Sequence, residues 1–446
     1  MKTTPCFAWI RLFAIIACMY VSHAAFATHI VGGDISCHYI GNDSFLVVSE
    51  IFRDCNGIAV SGSNLTVTND AGKTITTTGP VLSGGKDITP VSKGTLSRCA
   101  YLGSSFQFGY QQYFVTLRFK TDGTSCNYTF AQEECCLNYG ITTLSPGDFW
   151  LESTLNVCNI GYHDLPVFVN HPILFGCLKS CTSLFQNVIS DDQDSLVYSL
   201  VSPMNSQTTT YSYTTPYAYN EPIAYTGSFG SPNTHWDNTN CKGFHYDSIT
   251  GEVNFRAIKT DISVIAYQVQ QYHKNSSGVY KLVGTETRQS EINVIDCGTN
   301  NPPFITGIDS TSSTSLTACA GTTVSFKVYT TDPDAKDTLT LTWDSAIAGS
   351  HFKVDSALKP TGTFSWSPTV SNVRAKPYSF LLTVIDNHAP IPAKFQKRFD
   401  IYVGDSFPKV SYSKNTYNLS NIQICSHLFV LSIANGVLGF EFEAST

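Results

Sequence analysis

The sequence predicts an all-β chain, and three observations carry that prediction. Short runs rich in β-branched and aromatic residues, bounded by Gly, Pro, Asn or Asp, fall at 45–52, 113–119, 196–201, 263–272, 323–329, 339–343, 379–385 and 395–403. No long stretch keeps a 3.6-residue apolar period without a breaker, and only 14% of residues are charged, which disfavours long surface helices. The 15 cysteines point to oxidised disulfides outside the cytoplasm. At 446 residues the chain has room for about three domains. The expected layout is a disulfide-stapled N-terminal β domain followed by two tandem β-sandwiches, because strands recur about every ten residues.

Taken in order, the chain opens on an export signal. Lys2 and Arg11 precede an apolar run over 12–21, and Ala25-Phe26-Ala27 supplies the small residues of a cleavage site before Thr28. A lipoprotein box at Ile15-Ile16-Ala17-Cys18 is the rival reading, disfavoured because apolar residues continue past Cys18. Cleavage removes the signal peptide, 1–27, with Cys6 and Cys18, and leaves an odd number of cysteines.

Residues 28–168 hold Cys37, Cys55, Cys99, Cys126, Cys135, Cys136 and Cys158 and are expected as a separate β domain. Residues 169–299 and 300–404 read as two copies of one pattern. Ser190-Asp191-Asp192-Gln193-Asp194 feeds Ser195-Leu196-Val197-Tyr198, as Thr331-Asp332-Pro333-Asp334, with Asp337 close behind, feeds Thr338-Leu339-Thr340-Leu341. Phe244-His245-Tyr246-Asp247 and Gly251-Glu252-Val253-Asn254-Phe255 are echoed by Phe352-Lys353-Val354-Asp355 and Gly362-Thr363-Phe364-Ser365-Trp366, then 264–269 by 378–384. Two copies of one strand order imply two sandwiches, the first carrying a Thr-, Tyr- and Pro-rich insertion at about 203–241. Asn300-Asn301-Pro302-Pro303 is a stiff linker between them.

Residues 405–446 are too few to bury a sandwich core. Asn435-Gly436 between apolar runs at 428–433 and 437–442 signals a β-hairpin. A membrane anchor over the uncharged stretch 422–440 is the weaker reading, because Gln423, Ser426, His427, Ser432 and Asn435 interrupt it. Cys425 lies in this tail. The cysteines ahead of it, which add Cys177, Cys181, Cys241, Cys297 and Cys319 to those above, form an even set able to pair completely.

A net charge of −7 with no block of like charges excludes a nucleic-acid backbone as partner. The best site candidates are the acidic turns. Calcium takes six to eight oxygens, and closely spaced carboxylates in an interdomain loop supply several. Asp332, Asp334 and Asp337, with Asp386 at the end of a later strand, are candidate calcium ligands in the second copy; Asp191, Asp192 and Asp194 are those of the first. The alternative is that Asp, Asn and Pro simply make good turns. Enzyme signatures are missing or accidental. Gly404-Asp405-Ser406 has no partner histidine motif, Pro80 and Asp87 break a near phosphate loop at 79–86, and neither His-Glu-x-x-His nor Gly-x-Ser-x-Gly occurs. Cys177 and Cys181 lack the second half of a zinc site and read as disulfide partners. A non-enzymatic chain is expected. In the insertion, Tyr217 and Trp236 stand among Tyr211, Tyr213, Tyr219 and Tyr225, where aromatics either meet a sugar or protein ligand or cover the sandwich edge.

Several motifs together resemble the N-terminal region of the large gliding-motility-associated surface proteins secreted by the type IX system. They are Thr28-His29-Ile30-Val31-Gly32-Gly33-Asp34, Phe52-Arg53-Asp54-Cys55, Cys135-Cys136-Leu137-Asn138, Phe149-Trp150-Leu151-Glu152-Ser153, Pro166-Val167-Phe168-Val169-Asn170-His171-Pro172 and Asp194-Ser195-Leu196-Val197-Tyr198. Two positions depart from that pattern: Leu137 stands where Arg is usual, and the first acidic turn lacks its Pro and Gly. The resemblance implies immunoglobulin- or cadherin-like sandwiches in a secreted cell-surface module, structural or adhesive, meeting surface proteins or glycans. Such proteins continue into further repeats and a C-terminal sorting domain. The sequence given stops at Thr446, so the expectation is a shortened member, with the type IX machinery as a partner only in a longer form, or one exported to the periplasm. The rival expectation is a carbohydrate-binding accessory module of a polysaccharide-utilising system, with 203–241 as its binding loop.

Overall fold

The computed structural model describes residues 29–60, 64–77, 83–159, 161–190, 194–227 and 241–404, and the backbone of 428–434 and 437–443. The expected signal peptide, Asp191, Asp192, Trp236 and Cys425 lie outside the described residues. Apart from two single-turn 3-10 segments, all regular elements among the described residues are strands.

The N-terminal region contributes β1 (Ile30–Gly41), β2 (Ser44–Asp54), β3 (Leu65–Asn69), β4 (Thr74–Thr77), β5 (Ser83–Asp87), β6 (Tyr110–Lys120), β7 (Asn127–Glu134) and β8 (Phe149–Asn156). Alternation explains them: in β8, Phe149, Leu151, Ser153 and Leu155 are buried while the residues between are half-exposed. The β1–β2 hairpin turns through Asn42 and Asp43, whose φ of 53° and 58° are left-handed values that Asn and Asp tolerate best after Gly. One wing of the sheet runs β4-β3-β7-β8 and the other β1-β2-β6-β5. The wings close over one core, where Phe119 meets Tyr128 and Phe130 at 5.3 and 5.6 Å between ring centroids.

Downstream lie β9 (Val167–Phe168), β10 (Ile173–Cys177), β11 (Cys181–Leu184), β12 (Val188–Ile189), β13 (Ser195–Val201), β14 (Phe244–Tyr246), β15 (Val253–Arg256), β16 (Ile262–Lys274) and β17 (Tyr280–Ile295). One face is β10-β17-β16-β13, with β10 parallel to β17, and the other is β11-β15-β14. Leu174, Phe244, Phe255, Ile265, Tyr267 and Ile292 fill the space between. β9 and β12 pair alongside.

The second sandwich repeats this order. Its strands are β18 (Phe304–Ile305), β19 (Ser315–Cys319), β20 (Val324–Thr331), β21 (Thr340–Trp343), β22 (His351–Val354), β23 (Thr361–Trp366), β24 (Arg374–Ile385) and β25 (Lys394–Gly404). One sheet is β19-β25-β24-β21, again with its first strand parallel to the second, and the other is β18-β20-β23-β22. Phe326, Phe364, Phe380 and Phe399 stack through its core. The duplicated motifs of the sequence thus occupy equivalent strands. In the tail, β26 (Leu428–Ala434) pairs antiparallel with β27 (Val437–Glu443), the hairpin expected there.

Two expectations are corrected. The N-terminal region is not a separate sheet ending at 168: β17 pairs with β8 at Gly284 and Thr285, with β1 at Gln289 and Ser290, with β10 over its last five residues and with β16 along most of its length, making a 12-stranded sheet shared with the first sandwich. A strand of 16 residues is long enough to serve both bodies. Nor do all the candidate cysteines pair. Among the described residues the disulfides are Cys55–Cys99, Cys126–Cys158, Cys135–Cys136, Cys177–Cys297 and Cys181–Cys241. Cys37 is a free thiol with no exposed surface, pointing from β1 into the core beside Ile35 and Val47. There it acts as a small apolar side chain, and burial pushes its thiol well above the usual range. Cys319 is buried at the end of β19, opposite Gly404.

Candidate metal centre

The linker after the first sandwich leaves Cys297, which is tied to Cys177, and enters the second sandwich through Asn300. Three chain segments converge there: the linker, the acidic turn between β20 and β21, and the turn after β24. Asn300 is buried, and its Nδ2 donates to Asp386 Oδ2 at 2.9 Å. The other oxygen of Asp386 accepts from the backbone N–H groups of His388 and Ala393 at 3.0 and 2.9 Å, which fixes the carboxylate.

The acidic turn brings Asp332 and Asp337 to the same place. Ligand oxygens of Asp332, Asp337 and Asp386 lie within 4.8 Å of one another. Asp332 Oδ1 accepts the Asp334 N–H at 2.7 Å. Its Oδ2, with Asp337 Oδ2 and Asn300 Oδ1, is buried and without a hydrogen-bond partner. Three acceptors left unsatisfied around gathered carboxylates cost free energy. Burial first, then the neighbouring carboxylates, push Asp332 above the usual carboxylate range; burial does the same to Asp386, with Asp337 adding to it. Lys359 is a nearby cation, its Nζ donating to the Asp334 carbonyl at 3.1 Å.

This donor set suits a hard cation. All the available atoms are oxygens, and two oxygens on opposite sides of a calcium ion, each at about 2.4 Å, stand about 4.8 Å apart. Zinc prefers nitrogen and sulfur in a tighter shell.

Of the sequence candidates, Asp332, Asp337 and Asp386 come together. Asp334 does not join them: its carboxylate turns to the linker, accepting from the Asn301 N–H at 2.8 Å, and these contacts hold it below the usual range. Of the carboxylates in the first acidic turn only that of Asp194 is among the described residues. Asp194 faces His273 and Gln271, each at 2.6 Å. Tyr217 is half-buried, its hydroxyl donating to Asp261 Oδ2 at 3.0 Å and accepting from Lys259, so it braces the insertion. Tyr211 and Tyr225 belong to the two cores. Asn300 was missed as a site residue. The available signal is an Asn at the head of the stiff linker, which sequence alone reads as a turn former.

No family model and no curated protein matches the chain. Among solved structures, a nucleoside hydrolase-related protein from Saccharophagus degradans associated with carbohydrate metabolism is 24% identical over 24% of this chain and 27% of its own, with a TM-score of 0.19. The chain therefore spans about a quarter of that protein's length. The I67-I69 I-band fragment of titin is 9% identical over 85% of this chain and 100% of its own, with a TM-score of 0.16. An endo-fucoidan hydrolase of glycoside hydrolase family 107 is 13% identical over 76% of this chain and 40% of its own, with a TM-score of 0.19. The fold described above rests on strand pairing in this chain, not on those overlaps.

Proposed function

We propose that the chain is a non-enzymatic, exported cell-surface protein of the gliding-motility-associated type, structural or adhesive, whose tandem sandwiches are held in a fixed relation by calcium at their junction. The observation that carries the reading is the Asn300–Asp386 contact beside the unpartnered oxygens of Asp332 and Asp337. An ion there takes ligands from both the linker and the second sandwich, so binding it fixes the direction in which the linker leaves. Surface proteins or glycans are the partners such a spacer presents itself to. The disulfides are in keeping with an oxidising compartment.

Thermal unfolding of the full chain in calcium and in chelator tests the proposal. Calcium at about 100 times its Kd stabilises the bound form by about 2.7 kcal/mol and raises the melting temperature accordingly. Asp337→Asn removes the rise while leaving the chelator-treated protein at least as stable, since a repelling charge is gone. Equal melting in calcium and chelator overturns the reading.

A further inference from the structure

A second group of metal-ligating side chains lies where the N-terminal region meets the first sandwich. His163 is on the connection between β8 and β9; His273 is at the end of β16, opposite Lys281 of β17. Their ring centroids are 4.6 Å apart. Asp194 stands behind His273, its side chain 1% exposed, with Oδ1 at 2.6 Å from His273 Nδ1. Its Oδ2 accepts from Gln271 Nε2 at 2.6 Å, so both carboxylate oxygens are engaged and the group cannot swing away. One ligand atom from each of His163, Asp194 and His273 falls within 4.8 Å of the others.

We propose that His163 and His273 bind a divalent transition-metal ion of the zinc class, with Asp194 as the positioning residue. An ionised carboxylate only accepts hydrogen bonds, so Asp194 places the His273 proton on Nδ1 and leaves the lone pair on Nε2. That carboxylate–histidine arrangement is the one that orients imidazole ligands toward a metal. Two nitrogens select zinc, copper or nickel over the oxygen-seeking calcium, and solvent fills the remaining positions. Nitrogens on a tetrahedral zinc at about 2.0 to 2.1 Å stand about 3.3 Å apart, inside the 4.8 Å that encloses one ligand atom of each of these residues. The ion pins the connection 157–166 to the β16–β17 hairpin, a cross-link distinct in residues and in chemistry from the acidic centre.

Calorimetric titration of zinc chloride into the full chain, with excess calcium present, tests this. The expected result is one equivalent of zinc, released by EDTA, with affinity at least about tenfold weaker in His163→Ala and in His273→Ala, and about 10- to 100-fold weaker in Asp194→Asn. His163→Ala leaves the Asp194–His273 contact intact, and its melting without metal is checked against the parent so that lost binding is not lost folding. Substituting cobalt for zinc adds a visible absorption band that the same variants lose. Absence of zinc binding by the parent chain, or unchanged binding by a folded His163→Ala, overturns the proposal.

Discussion

Arg288 Nε donates to Asp34 Oδ2 at 2.8 Å, joining buried side chains that lie 254 residues apart in the chain. The guanidinium Nη2 makes a second bond to the same oxygen, Nη1 reaches the Asn170 carbonyl, and the Phe168 ring lies 4.1 Å beneath. The pair locks β1 to β17 at the seam of the shared sheet. Burial pushes the Asp34 carboxyl up, and Arg288 pulls it back.

Arg288→Met leaves Asp34 buried without its cation. Breaking one side of a buried pair costs about 3 to 5 kcal/mol. Urea unfolding followed by tryptophan fluorescence should show the first transition shifted by that amount, and a change below about 1 kcal/mol would mean the pair is not needed at the seam.

The same seam makes stability fall with rising pH. Burial first, then Asp34, pushes Glu50 to about 7; burial pushes Glu291 to about 8; burial, with Asp34 and Glu50, pushes Glu286 well up. Glu286 has both carboxyl oxygens buried and unpartnered. Folded, these groups hold protons that the unfolded chain gives up near 4.5, so the unfolded state binds fewer protons and the slope of stability with pH is negative. The contribution is fully present below about pH 4.5 and is lost as pH rises through about 7 and 8. Each tenfold tightening of a carboxyl's hold on its proton is worth about 1.4 kcal/mol. Glu286→Gln should flatten the profile above about pH 5 in a melting series that runs from acid to mildly alkaline buffer.

The Cys177–Cys297 disulfide spans a sequence separation of 120 and fastens the linker's base to the end of β10. Loop entropy gives such a crosslink about 4 to 5 kcal/mol. The double Ser variant should lose stability in that range and also bind calcium more weakly, because Asn300 follows Cys297 closely. Calorimetry on one preparation reads both.

Gly33 sits in β1 with strands on both sides and a packed face above. A Cβ there would stand 2.5 Å from the Glu50 carbonyl and 2.9 Å from Leu151 Cδ1. Since backbone is the obstacle, Gly33→Ala should destabilise by about 1 to 3 kcal/mol, whereas Gly72→Ala, with open space around it, should lose less, through its φ of 72° alone. Paired urea titrations of the two variants against the parent read the difference.

Much of the architecture was legible locally. β2, β6, β13 and β20 to β25 show their strand character in apolar alternation, and the duplicated order was readable because motif spacing survives in both copies. β17 was not legible. Its central stretch carries Glu286, Arg288, Gln289, Ser290, Glu291 and Asn293, all buried, and such a run reads as a solvated edge. It is interior because bodies pack on both of its faces, which no alternation rule anticipates. For the acidic centre, Asp332, Asp337 and Asp386 were visible as turn carboxylates. Asn300 and the diversion of Asp334 to Asn301 depend on where the linker enters.

The sequence by itself determined the all-β class, the repeated strand order and the residue types available for a cation, because these follow from side-chain periodicity and turn chemistry along a few residues. Only the tertiary structure decided which cysteines pair, that Cys37 does not, that one strand unites two expected domains, and that His163, Asp194 and His273 meet. Those are relations between residues tens to hundreds of positions apart, and they exist only once packing has fixed the distances between strands.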